Sequence, residues 1–82
     1  MPVYLDHHKV VPDKKGIEAA RMAIKSGKAD PKTGIKAMQG FVGKSESWCL
    51  NEAPNAQSVH KLHESMGINL GPGDVTEVTT VA

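Results

Sequence analysis

Four histidines lie in two groups: His7-His8, and His60 with His63, the latter followed by Glu64. On a helix, positions three and four apart are neighbours at ~5–6 Å between Cβ atoms. His60, His63 and Glu64 can therefore share a divalent ion through two imidazoles and a carboxylate. Imidazole suits nickel, zinc and copper, and affinity alone favours copper. Nothing here has the fixed spacing of a zinc finger. The plainer reading of the same residues is a solvated helix face with a weak His60–Glu64 pair. In VYLDHHKV, residues 3–10, period-2 alternation puts Tyr4, Asp6 and His8 on one strand face and Val3, Leu5 and His7 on the other. A carboxylate beside an imidazole sets its tautomer and raises its basicity. Asp6 and His8 thus suit a metal ligand with its supporting group, or a general base; the plainer reading is a polar strand end in water. Glu52 closes SWCLNE and can join Asp6 and His8 if the two strands are neighbours. Cys49 in that segment is expected to pack as a small apolar residue. A thiolate role needs a positive group nearby.

The elements that must position these residues follow from local signals. A strand over 3–10 ends at Pro12-Asp13, with Asp13 as N-cap. A helix over 14–26 carries Ile17, Ala20, Ala23 and Ile24 on one stripe and stops at Gly27. Strands over 35–42 and 47–52 are joined by a hairpin at Gly43-Lys44-Ser45-Glu46. Asn55 caps a second helix whose buried stripe is Ala56, Val59, Leu62 and Met66, ending at Gly67. The β-branched run over 75–81 closes the chain as a strand. His63 lies on the border of the second helix's stripe, whereas His60 and Glu64 point outward. The order β-α-β-β-α-β over 1–82 predicts a single α+β domain, the ferredoxin-like sandwich. Its antiparallel sheet has the order 4-1-3-2, both helices cover one face, and the other face is bare. Asp6, His8 and Glu52 are expected on that bare face. The first strand and the second helix run toward the same end, so all four histidines are expected near one pole.

Composition narrows the classes. The chain has 82 residues, 39% apolar and 23% charged, with net charge +1. A chain this short buries only about 60–65% of its unfolded surface, and it has three aromatics, Tyr4, Phe41 and Trp48. Dimerisation or a bound metal is the expected remedy. One cysteine excludes an internal disulfide and favours a cytoplasmic setting. No apolar run approaches the roughly 20 residues of a membrane helix, and no signal peptide is visible. RNA-binding domains share the element order, but their aromatic motif is missing from the central strands. No nucleic-acid partner is expected, and no phosphate loop or dinucleotide motif is present.

Tyr4-x-Asp6-x-His8, then Cys49-Leu50-x-Glu52-Ala53-Pro54-x-Ala56, then a His-bearing helix closed by Gly67 and an acidic last strand, run over nearly the whole chain. In these segments the chain resembles a family of small, largely uncharacterised bacterial and archaeal proteins of about this length. The family's characterised branch is described as nickel-binding, ferredoxin-like and dimeric. The resemblance implies a homodimer and a metal role for Asp6, His8, Glu52 and a histidine of the second helix. Two departures stand out. Met66 occupies the place before the closing glycine where that family often has histidine, and His7 is extra to the pattern.

The expected ligand set is therefore Asp6, His7, His8, Glu52, His60, His63 and Glu64, and the expected ion is nickel, or zinc, copper or cobalt. The first function expected is sequestration or buffering of such an ion by a soluble homodimer rather than catalysis. The second is a cofactor-free dimeric enzyme, monooxygenase- or isomerase-like, with His8 as base in a cavity shared with Tyr4, Asp6, Trp48 and Glu52. A dimer with no ligand of its own is the third. An apolar cavity around His8 favours the enzyme, and solvent-facing histidines favour metal capture.

Overall fold

The computed structural model describes residues 1–81. The elements run β1 (Val3–His8), α1 (Lys14–Ser26), β2 (Lys36–Val42), β3 (Ser47–Glu52), α2 (Ala56–Ser65) and β4 (Val75–Val78). Both helices start at side-chain caps. Asp13 accepts from the Gly16 N–H and Asn55 from the Ser58 N–H, each at 2.8 Å. Such a cap is worth about 1 kcal/mol. Gly27 ends α1 in the left-handed region, φ 64°, where a Cβ is costly.

The result is a small α+β domain with one antiparallel four-stranded sheet in the order β2-β3-β1-β4. Counted from the other edge the order is 4-1-3-2, so each strand has the neighbours expected for it. The β1/β3 register sets Tyr4 opposite Asn51, Asp6 opposite Cys49, and His8 opposite Ser47. A bulge at Ala37/Gln39 shifts the β2/β3 register by one residue.

The core is small: Tyr4, Ile35, Ala53 and Val59, flanked by Ala56, Leu62, Leu70 and Val75. It lies under α2, which packs on β1 and β4. Directly opposed residues share a face. Tyr4, Asp6 and His8 are buried beneath the helices, while Val3, Leu5 and His7 on the other face are half-buried. The expectation that Asp6 and His8 occupy the bare face is thus reversed. Burying them is tolerable because each buried side-chain N or O has a polar neighbour within hydrogen-bonding distance among the described residues.

Two further expectations are corrected. Met66 is not in the buried stripe of α2; it is 56% exposed at the helix end. The stripe of α1 is not buried either: Ile17 and Ile24 are half-buried, Ala20 and Ala23 are exposed, and no α1 residue reaches the core. Two alanines are too short to bridge from the helix to the sheet. A cleft of about 870 Å³ remains between α1, the sheet and the end of α2.

Candidate metal centre

Asp6 is central to the arrangement. Its side chain is fully buried, at 0% exposure. Oδ1 accepts the backbone N–H of Cys49 at 3.0 Å, and the amide of Asn51 lies 3.5 Å from Oδ2. The Nε2 of His8 is 3.3 Å from Oδ1, and the Nε2 of His63 is 3.0 Å from Oδ2. The two Nε2 atoms are themselves 2.9 Å apart. His8 and His63 are buried at 6% and 3% exposure, although they come from β1 and α2, 55 residues apart.

The outer nitrogens of both rings settle the tautomers. His63 Nδ1 lies 2.8 Å from the Val59 carbonyl one turn back along α2. A carbonyl only accepts, so that nitrogen carries the proton. His8 Nδ1 lies 3.0 Å from Ser47 Oγ. The Ser47 hydroxyl donates its single proton to the Val10 carbonyl at 2.7 Å, so it accepts from His8 Nδ1–H. Both Nε2 atoms therefore point their lone pairs at each other and at a carboxylate. Three acceptors converging within 4.8 Å need a proton shared among them or a metal ion between them. The 2.9 Å between the two Nε2 atoms suits neighbouring ligands, and each ring has its own nearest carboxylate oxygen, Oδ1 at 3.3 Å from His8 and Oδ2 at 3.0 Å from His63. Two donors at about 2.1 Å from one ion and at right angles to each other lie ~3.0 Å apart. Each imidazole also has the outer hydrogen bond that metal-ligating histidines use to fix ring and tautomer.

Ser47 is the residue that this arrangement adds to the expected set. Its signal was its place directly opposite His8 in the β1/β3 register. Ser47→Ala removes the acceptor of His8 Nδ1–H. Metal affinity is expected to fall 10–100-fold, as read by competition with a chromophoric chelator, while the far-ultraviolet circular dichroism stays unchanged.

The remaining expected ligands lie elsewhere, so the four histidines do not form one cluster. His7 is on the opposite face of β1, where it stacks on Trp48 at 5.5 Å between centroids. Its Nε2 is 2.9 Å from Glu46 and its Nδ1 is 3.4 Å from Asp74. That is a partly exposed polar cluster, whose worth in solvent is small. The Gly71 backbone N–H holds the Asp74 carboxyl below its usual range, with a smaller contribution from His7. Glu52 pairs with Val3 and so shares the face opposite Asp6. His60 is half-buried one turn before His63, and Glu64 is exposed. Among the described residues, the group of three ligand atoms brought together comprises Asp6, His8 and His63.

Cys49 sits opposite Asp6 on the helix-covered face. Burial, and then the negative charge of Asp6, push its thiol up to about 12 from 9.0. The expected outcome is slow alkylation by iodoacetamide at pH 8, about a thousandfold below a free thiol on thiolate fraction alone.

His8, His63 and Cys49 line the cleft beneath α1. The apolar cavity beside His8 is therefore present, but on the helix side rather than at the bare face. No family model matches the chain, and no curated protein matches it. A solved structure does, that of SCO4226 from Streptomyces coelicolor A3(2). The match covers 98% of this chain and 99% of that one, at 20% identity and a TM-score of 0.69. At that identity the two chains are shown to share a fold.

Proposed function

We propose that this protein binds one divalent metal ion per chain at Asp6, His8 and His63 and serves to sequester or buffer it. The observation that carries this reading is the pair of fixed Nδ1 donors, which leaves two Nε2 lone pairs and a buried carboxylate converging on one point. Two imidazoles and a carboxylate suit nickel, zinc, copper or cobalt. The preference for nickel comes from the family resemblance. In this reading His63 supplies the imidazole that the resemblance led one to expect at Met66. A ferredoxin-like homodimer in the cytoplasm completes the proposal. It is supported by the half-buried Val3, Leu5, Trp48 and Leu50, which share the uncovered face with His7 and Glu52, and by the small core. No helix is long and apolar enough to cross a membrane among the described residues.

Calorimetric titration of chelator-treated, tag-free protein with nickel tests it. One ion per chain is expected, with an enthalpy that varies with buffer ionisation because the ion displaces a proton held between the acceptors. Absence of uptake at ~0.1 mM, an affinity of only about 5.5 kcal/mol, sinks the reading. The cleft beside His8 favours a second one, a small enzyme with His8 as base oriented by Asp6. In that case His8 must be metal-free in the active protein, and tight uptake of one ion per chain contradicts it.

A further inference from the structure

The cleft between α1 and the sheet is larger than the metal reading needs. Its volume of about 870 Å³ lies within the ~300–1,000 Å³ of small-molecule sites. Its walls are chiefly apolar, with Ile17, Ala20 and Ile24 of α1 facing Val42 of β2 and Leu62 and Met66 at the end of α2. Such walls around a few convergent polar groups are the usual makeup of a ligand pocket. Here the convergent groups are the imidazoles of His8 and His63. The charged side chains lining the cleft are Arg21 and Lys25, and no Asp or Glu lines it among the described residues. Arg21 is partly offset by Glu18 at 2.9 Å on the exposed side of α1, which leaves Lys25 as the stronger charge.

We propose that this cleft binds a small apolar carboxylic acid, its body along α1 and its carboxylate directed at the ion held by Asp6, His8 and His63. The proposal rests on the metal reading above. His8 and His63 line the cleft and Asp6 does not, so a ligand entering along α1 reaches the centre at its two imidazoles. A divalent ion with three protein ligands has coordination positions to spare, and carboxylate oxygen is an acceptable donor for it. Arg21 and Lys25 raise the local concentration of an anion. A neutral molecule of the same shape gains from the apolar walls alone.

The test uses zinc-loaded full-length protein, with metal stoichiometry measured first and without acid. Decanoate and decanol are then titrated in parallel, followed by calorimetry and by amide chemical shifts. The expected result is saturable 1:1 binding of decanoate, at least tenfold tighter than decanol. The shifts should fall on α1, β2 and the end of α2. Ala20→Trp, at an exposed position on the cleft wall, should abolish decanoate binding and keep full metal stoichiometry. Arg21→Glu with Lys25→Glu should weaken it at least tenfold, again with metal retained. Normal metal uptake without decanoate binding overturns the cleft proposal alone. Equal binding of acid and alcohol, or shifts confined to the Val3–Leu5–Leu50 face, also overturn it. A change of molecular mass in Ala20→Trp, showing that a second copy fills the cleft, overturns it as well. Absence of metal uptake in the first titration overturns both this proposal and the reading it rests on.

Discussion

Asp6→Ala is expected to abolish metal uptake and to lower stability by about 3–5 kcal/mol, the cost of removing one partner from a buried ionic group. The Asp6 carboxylate is wholly buried, accepts the Cys49 N–H, and faces both imidazole Nε2 atoms. Without it the two lone pairs still face each other at 2.9 Å, and no negative charge offsets the cation between them. A domain of this size has only about 5–15 kcal/mol of stability in all, so the alanine variant unfolds at much lower urea. Asp6→Asn separates the two effects. It keeps the volume and the carbonyl that accepts from Cys49, and so stays folded, but it lacks the charge and should take up no nickel. Urea unfolding and calorimetry on both variants check this. Full nickel stoichiometry in Asp6→Asn contradicts it.

His8→Ala and His63→Ala should each reduce nickel stoichiometry from one per chain to none, or weaken affinity by more than 100-fold, about 2.8 kcal/mol. His60→Ala, Glu64→Ala, His7→Ala and Glu52→Ala should leave both unchanged. The contrast is sharp because His60 and His63 sit on the same helix one turn apart, yet only His63 is fixed by the Val59 carbonyl and aimed at Asp6. A helix-surface site made of His60, His63 and Glu64 predicts the opposite for His60→Ala. Titration of the six variants under one set of conditions decides between them. Loss of binding in His60→Ala with binding retained in His8→Ala contradicts the buried centre.

The elements were legible because their ends carry strong local chemistry. Asp13 and Gly27 bound α1, and Asn55 opens α2, where the caps are found. Alternation in β1 put Asp6 and His8 on one face, and the apolar stripe of α2 put His63 at its border; these are the residues that meet. The covered face was not legible. Val3 and Leu5 look more like core than Asp6 and His8, and hydrophobicity alone turns them inward. The polar face is buried because Ser47, Asn51 and the Cys49 N–H pair with it and His63 closes over it, and those neighbours emerge only with the strand register and the docking of α2. The same register carries Glu52 to the far face opposite Val3. Period alone also could not show that Ala20 and Ala23 leave a cleft rather than a packed contact, because a stripe records which side is apolar, not how far it reaches.

Anomalous diffraction at the nickel edge, on crystals of tag-free protein stripped with chelator and reloaded with nickel, tests the metal centre most directly. One peak per chain is expected, about 2.1 Å from the Nε2 atoms of His8 and His63 and from a carboxylate oxygen of Asp6. A peak beside His60 or His7, or no peak at the buried triad, contradicts it.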